Sequence, residues 1–588
     1  MAVGLHALPD ASIRAKAART EEAARREPLP WACAVSPMVK VRPGMDPGGA
    51  RAWSLSLARG ECEGVQIHAK PPLEQVDANV EALRLQRSTK AKGQPPTLTL
   101  RLYREAFVEV KTPSNHEGAP GLWPDPLIPV VDAYVGERRN ALPFDSTAER
   151  PLVVYVEVCA DGDQPEGTYA GEVVLTAKDQ RPVRIALRAQ VHPFTLPATS
   201  SLPTTFGISI FSIAHGHHLK ADSDEGRALL RRYAQSALLH RFSLHGMSID
   251  PPPTVVKDGV ARIDWSAYDA EMGPLLEGKA LPNRARFTTA EVRPNPWLKT
   301  REEQRAYLRA WREHFDQNGW TAQLFVYAKD EPKPEDRPLV LAQAEDAHSV
   351  ERLPVLVTAP LDDELTPVAD IVTPTLNCFY ARPGPKTCPR ITAPRALRQA
   401  AGPTKQVWWY QACPTHGCDA GPFDDPALER AYSGWPSYMV DHPAVLNRAM
   451  GVLDYVGGVD GELYYATVYA YNFRDPWTEG VWDFGGNGDG TLFYPGTPRH
   501  IGGKTHVPVE SLRLKQLRDG LEDYEYLKLL QKLGAGEYAQ KSARTLVRSG
   551  FEINRDPAQW ESLRAEWTRR LDELWRRSEY ARHPTVGP

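Results

Sequence analysis

Leu324-Phe-Val-Tyr-Ala-Lys-Asp-Glu-Pro332 is an apolar run that ends in two acids and a proline. A run of this length and composition reads as a buried strand. It is the fourth of eight candidate strands, near 204–211, 241–248, 285–292, 322–328, 353–359, 369–376, 405–412 and 461–468. Amphipathic segments of helix length separate most of them, an arrangement that requires parallel pairing. One such segment, 299–317, puts Leu308, Trp311 and Phe315 on a single face, and 225–240 is a second. The connection at 360–368 is too short for a full helix. Eight strands over roughly 330 residues fit a (β/α)8 TIM-type barrel with enlarged loops better than an open sheet. In such a barrel Asp330 and Glu331 stand at the C-terminal mouth, where active sites assemble.

Upstream the rhythm is different. In Val183-Arg-Ile-Ala-Leu-Arg-Ala-Gln-Val191 apolar residues alternate with largely polar ones, the period of a half-buried strand. Leu98, Leu100 and Leu102 do the same, as do Leu55 and Leu57, with turn-rich stretches such as 161–167 between such runs. Short strands at this spacing predict an N-terminal antiparallel β-sandwich over 31–197. The prolines of His192-Pro-Phe-Thr-Leu-Pro-Ala198 break the ladder, which places the start of the barrel domain at 198 and its end near 533. A closing helix is expected over 508–533, with Gly520 inside it costing about 1 kcal/mol relative to alanine. Residues 534–588 read as a helical extension in which Trp560, Leu563, Trp567, Leu571 and Leu574 share a face and pack on the barrel's outside. Residues 1–30 read as a polar arm.

A chain of 588 residues is too long for one core, so the protein is multidomain. The net charge of -4 creates no large field and suggests neither nucleic acid nor an anionic membrane as partner. No continuous apolar segment at the start reads as a signal peptide or membrane anchor, so the reading is a soluble chain of undefined compartment. Oligomeric state is left open. The 15 tryptophans and 22 tyrosines suit aromatic platforms for sugar rings. Seven cysteines, an odd number, argue against a complete disulfide framework. Cys413-Pro-Thr-His-Gly-Cys418 lacks a second ligand pair at zinc-site spacing and reads as an ordinary active-site loop; no metal and no cofactor are expected.

Consecutive strand residues point to opposite sides, so Asp330 and Glu331 share a pocket only if the strand ends or bends between them. Pro332 supplies an ending and is expected to push Glu331 into an extended conformation. Two close carboxylates disfavour double ionisation, so one can keep a proton and act as general acid. Glycoside cleavage needs such an acid, because the departing oxygen is a poor leaving group until protonated. Adjacent acids do not leave the gap of roughly 6.5–9.5 Å that an inverting water requires, so retention is the better expectation. The sequence pattern alone is equally compatible with Asp330 as a helix cap and Glu331 as a solvated side chain.

The stretch Tyr327-Ala-Lys-Asp-Glu-Pro332 resembles the catalytic motif of glycoside hydrolase family 123. The resemblance continues at Leu57-Ala-Arg-Gly-Glu-Cys-Glu-Gly-Val-Gln66, Pro165-Glu-Gly-Thr-Tyr-Ala-Gly-Glu172, Phe194-Thr-Leu-Pro197, Trp408-Trp-Tyr410, Asp460-Gly-Glu-Leu-Tyr464 and Gly490-Thr-Leu-Phe-Tyr-Pro495. Leu512-Arg-Leu-Lys-Gln-Leu-Arg-Asp-Gly-Leu-Glu-Asp-Tyr-Glu-Tyr-Leu527 is its most specific part, and most of residues 35–530 are covered. The resemblance implies β-N-acetylgalactosaminidase chemistry on an oligosaccharide or glycoconjugate. The substrate's 2-acetamido oxygen would attack its own anomeric carbon, Asp330 would orient that acetamido group, and Glu331 would serve as acid and then base. The same fold acting on a non-acetamido sugar, or a noncatalytic carbohydrate-binding protein, are the alternatives.

Further substrate contacts are expected from Tyr327, Trp408, Trp409, Tyr410, Tyr465, Asn472 and Trp477, although strand alternation turns the two tryptophans 408 and 409 to different sides. Tyr469-Ala-Tyr-Asn-Phe-Arg-Asp-Pro-Trp477 resembles a family active-site loop. Arg518, Asp519, Glu522 and Asp523 on the closing helix read as a buried salt network or a solvated face. His215, His217 and His218 are expected in a loop after the first strand, without the acids a metal site would need.

Overall fold

The computed structural model describes residues 29–86, 94–247, 250–360, 363–382, 388–418 and 422–578. The polar arm expected over 1–30 lies, except for its last two residues, outside the described residues, as do 579–588 of the C-terminal segment.

Eight parallel strands form one sheet: β1 Thr204–Gly207, β2 Leu244–His245, β3 Thr289–Glu291, β4 Gln323–Asp330, β5 Val355–Thr358, β6 Ile371–Val372, β7 Gln406–Tyr410 and β8 Gly461–Tyr464. Seven lie inside the range expected from their apolar runs, and β4 runs two residues past its expected end at 328, to Asp330. The sheet runs β2-β1-β8-β7-β6-β5-β4-β3, so a nearly closed barrel is left with one unpaired seam, between β2 and β3. Side chains bridge that seam: Ser243 Oγ lies 2.9 Å from Thr288 Oγ1 and accepts from the Thr288 amide at 2.7 Å. The helix Arg301–Asn318 before β4 begins with a capping box, in which Thr300 accepts from the Glu303 amide and Glu303 accepts from that of Thr300. Its Leu308, Trp311 and Phe315 are buried, as the spacing predicts. His215 and His217 sit on the helix Ile210–His217, with His218 as its C-cap, not in a loop. His217 Nε2 lies 2.8 Å from the Tyr233 hydroxyl and its Nδ1 3.1 Å from His506, so it is a packing group.

The N-terminal region is two sheets of seven and six strands that share one hydrophobic cluster. The pairings are antiparallel with one correction: Val183–Thr195 runs parallel to Ala52–Arg59. The larger sheet continues past the expected boundary, because Val507–Ser511 pairs with Gly121–Pro129 and Tyr494–Gly496 extends it further. Cys62–Cys159, Cys378–Cys388 and Cys413–Cys418 are disulfides, which leaves Cys33 as the free, buried thiol among the described residues.

Helices α1 (Ala444–Gly457) and α2 (Leu512–Leu530) cross at two glycines. A Cβ on Gly520 would lie 2.2 Å from the Arg448 carbonyl oxygen, and one on Gly451 1.9 Å from that of Gly520, so contact between helices explains a glycine that propensity disfavours. Helix α2 is buried nearly all round although half its residues are polar, because its charges find partners on both sides. Arg513 binds Asp125 through Nε at 3.0 Å and Nη2 at 2.8 Å, and Arg448 and Arg564 both reach Asp523 at 2.7 Å. Arg518, Asp519, Glu522 and Asp523 thus form a buried salt network, in which Arg518 pairs with Asp519 and Glu522 and Arg448 joins Asp519 to Asp523. The third helix, α3 (Pro557–Arg577), buries Trp560, Trp567 and Leu571. It packs on α2 and on the strands Val183–Thr195 and Ala52–Arg59, so its apolar face meets the N-terminal sheets as well as the barrel. Among the described residues no helix is long and apolar enough to cross a membrane.

Glu105, in the strand Thr99–Val110, is buried with both carboxyl oxygens lacking hydrogen bonds among the described residues. Burial, reinforced by Asp125, pushes its pKa from 4.5 up to about 8. The folded state therefore keeps a proton that the unfolded chain releases, and stability falls as pH rises from 4.5 to about 8. Glu105→Gln, which cannot ionise, should match the wild type near pH 4.5 and exceed it by on the order of 5 kcal/mol above pH 8. Denaturant midpoints across that range check this; parallel pH profiles would contradict it.

Candidate active site

Strand β4 carries an irregularity that its sequence does not advertise. Tyr327 pairs with Leu356 and Lys329 with Val357, so Ala328 is an extra residue, a β-bulge. A regular strand would put Tyr327 and Asp330 on opposite faces; the bulge brings them to the same one. The Tyr327 hydroxyl donates to Asp330 Oδ1 at 2.9 Å, and Thr358, at the end of β5, donates to the same oxygen at 3.0 Å.

Glu331 follows with a φ of +42°, in the left-handed region, which corrects the extended conformation expected before Pro332. That turn carries its side chain back over the mouth, where Glu331 Oε1 accepts a 2.5 Å bond from the Tyr410 hydroxyl at the end of β7. A left-handed backbone at a non-glycine residue stores strain, and its occurrence at one of the paired acids fits a site over-determined by its surroundings. The Glu331 amide also donates to Thr358 Oγ1 at 3.0 Å, so one threonine hydroxyl links both acids. The two carboxyl groups are solvent-exposed and tethered from three strands, β4, β5 and β7.

The ring of neighbours is polarised by these acids. Burial, the Glu331 carboxylate and Asp330 hold the Tyr410 hydroxyl well above its usual pKa, so it stays a donor. Burial and Asp330 do the same for Tyr327. His245, at the end of β2, packs edge-on against Tyr327 with centroids 5.9 Å apart. Burial lowers its pKa although Glu291 and Asp330 pull upward, which favours the neutral imidazole. Glu291 at the end of β3 is paired with Arg293 at 2.7 Å. Sequence reasoning passed over Thr358, His245 and Glu291; each ends a barrel strand, and that position was the available signal.

The expected substrate contacts separate by strand direction. Tyr327 and Tyr410 touch the acids, and Tyr465 packs with them in one cluster. Trp408 is fully buried inside the barrel among Phe325, Leu356 and Leu463. Trp409 faces outward, where its Nε1 donates to Asp454 of α1 at 2.5 Å, so it is not brought to the mouth. Asn472 Oδ1 accepts from Ser212 at 2.7 Å, which ties the segment after β8 to the helix after β1. Trp477 donates to the Pro495 carbonyl at 2.9 Å and stacks on His500, in the packing of the N-terminal sheets and away from the acids. Cys413 and Cys418 are joined to each other in the loop after β7. Among the described residues no group of three or more His, Cys, Asp or Glu side chains could hold a metal ion.

The paired acids on a barrel strand are accompanied by a sequence match that begins just after β3. Residues 294–530 match the family described as glycoside hydrolase 123, catalytic domain. This segment is a family 123 glycoside hydrolase domain. It spans β4 to β8 and the whole of α2. A similar solved structure is a family 123 glycoside hydrolase from Clostridium perfringens, described in a study of glycolipid glycan hydrolysis. It is 12% identical, with 92% of this chain and 97% of that chain covered at a TM-score of 0.61, a likeness that shows the fold. A family 39 glycoside hydrolase from Bacteroides cellulosilyticus (11% identity, 80% and 82% covered, TM-score 0.30) superposes too loosely to carry an argument. The same holds for a Bacteroides ovatus GH5 xyloglucanase (9%, 80% and 98%, TM-score 0.28). No curated protein sequence matches the chain. The family 123 match over this segment supports glycoside hydrolase activity, which implies a carbohydrate substrate.

Proposed function

We propose that the protein is a retaining, exo-acting glycoside hydrolase for terminal β-linked 2-acetamido sugars, N-acetylgalactosamine-like, that uses the substrate's own acetamido group as nucleophile. The observation that carries the reading is the joint tethering of two consecutive acids, Asp330 and Glu331, through Thr358. Neighbours on one strand do not flank a glycosidic bond from opposite sides, as a carboxylate nucleophile and its acid partner must. They suit a reaction whose nucleophile is part of the ligand.

In the first step the acetamido oxygen bonds to the anomeric carbon as the glycosidic C–O bond breaks, and Glu331 passes its proton to the departing oxygen. Asp330, with Oδ1 engaged by Tyr327 and Thr358, offers Oδ2 to the acetamido N–H and offsets the positive charge that grows on the oxazolinium ring. The Tyr410 hydroxyl stabilises the Glu331 carboxylate that remains. Water then attacks the anomeric carbon, Glu331 takes its proton, and the acetamido oxygen leaves; two displacements at one carbon retain its configuration.

A panel of aryl β-glycosides tests the reading. Turnover of the N-acetylgalactosaminide or N-acetylglucosaminide should exceed that of the matching non-acetamido sugars by at least about 100-fold, since those lack the nucleophile. Cleavage confined to sugars without the 2-acetamido group would remove the assisted mechanism.

A further inference from the structure

Beyond β8 the chain exposes apolar rings that packing does not require. Phe473 is 62% and Phe484 39% exposed. They belong to a ladder of aromatic contacts: Tyr465 to Tyr469 at 5.8 Å, Tyr469 to Phe484 at 5.1 Å, and Tyr469 to Phe473 at 5.3 Å between centroids. Its inner rung, Tyr465, packs in the cluster that contains Tyr327 and Tyr410, whose hydroxyls bind the two acids. The ladder therefore reaches from the cluster beside the paired acids to the exposed rings.

Phe484 is held at the rim against its own preference. Trp482–Asp483 pairs with Gly486–Asn487, which makes Phe484 and Gly485 the two turn residues of a hairpin, with φ of +49° and +77°. A turn of this kind favours asparagine, aspartate or glycine at both positions. Phenylalanine there is strained and gains little burial, so the fold alone gives no reason for it.

Asp483, the preceding residue, supplies an independent polar observation. It is 6% exposed; Oδ1 is paired with Arg474 at 3.2 Å, and Oδ2 has no hydrogen-bond partner among the described residues. Burial pushes its pKa up to about 6 despite Arg474, and its charge is felt by both Tyr465 and Tyr469. An unsatisfied buried carboxyl beside an aromatic face is the donor–acceptor set that a pyranose takes, with C–H bonds on the rings and hydroxyls on the carboxyl.

We infer that Tyr469, Phe473, Phe484 and Asp483 form a subsite that holds the sugar on the leaving-group side of the bond cleaved. The assignment rests on the exo-acting reading, in which the terminal sugar goes to the acids and the next ring stays at the exposed rim.

The test compares a β-N-acetylgalactosaminyl-galactose disaccharide with β-N-acetylgalactosaminyl fluoride, whose leaving group is a single atom. Phe484→Asn removes the ring while suiting the left-handed turn, and Asp483→Asn keeps the shape. Each should lower kcat/KM for the disaccharide roughly 10-fold and leave that for the fluoride within about 2-fold. Equal loss on both substrates, or no loss on either, overturns the inference. If the wild type cleaves neither, the proposed function has failed, and calorimetric titration with the disaccharide decides the subsite by itself. Binding that Phe484→Asn weakens about 10-fold upholds it. Unchanged binding, or none by the wild type, overturns it.

Discussion

Replacing Glu331 with glutamine is expected to lower kcat at least about 100-fold, the usual scale for removing a general acid, while the chain remains folded. The amide keeps the size of the carboxyl and an oxygen for the 2.5 Å Tyr410 bond, so the neighbours have no reason to rearrange. What is lost is the proton that makes the glycosidic oxygen a leaving group. The loss should shrink on an aryl glycoside whose phenol leaves readily without protonation, and should be largest on a natural sugar leaving group. Steady-state rates on both substrates, with the melting temperature as a control for folding, check this. A variant within a few-fold of the wild type on a sugar leaving group would contradict the assignment of Glu331.

The second large effect is on stability. Arg513→Ala should cost about 3–5 kcal/mol, because it leaves Asp125 as an unpaired charge in the interior. Both side chains are fully buried, and Arg513 also donates to the carbonyls of Tyr438 at 2.6 Å and Gly488 at 3.1 Å. The pair thus joins a strand of the N-terminal sheet to α2 and to two barrel loops. Replacing both partners, Asp125→Leu with Arg513→Met, should recover much of the loss, since the penalty belongs to the orphaned charge. Denaturant midpoints for the single and double variants measure it; an Arg513→Ala midpoint equal to the wild type would contradict this role.

The barrel was legible because each strand is an apolar run and most are separated by helix-length amphipathic segments, a contrast that survives in sequence. The β4 motif was legible for the same reason: acids that terminate a buried strand are conspicuous. The means by which two neighbours share one mouth was not legible. A bulge at Ala328 is defined by its register against β5, a relation between strands that one strand's residues do not encode. The left-handed Glu331 is likewise imposed by bonds to Thr358 and Tyr410, from β5 and β7, against what Pro332 favours locally. Alternation foretold that Trp408 and Trp409 would diverge, but only the surrounding layers decide which faces α1. Helix α2 was a harder case: its polar residues match a solvated face by pattern, and their burial follows from partners such as Asp125 and Glu157, hundreds of residues away.

The most direct test is a crystal structure of the protein with a thiazoline analogue of the oxazolinium intermediate. The analogue's ring nitrogen should lie against Asp330 Oδ2 and the Glu331 carboxyl should face its anomeric carbon, with the Tyr410 bond retained. An analogue bound elsewhere, or either carboxyl turned from it into solvent, would contradict the account.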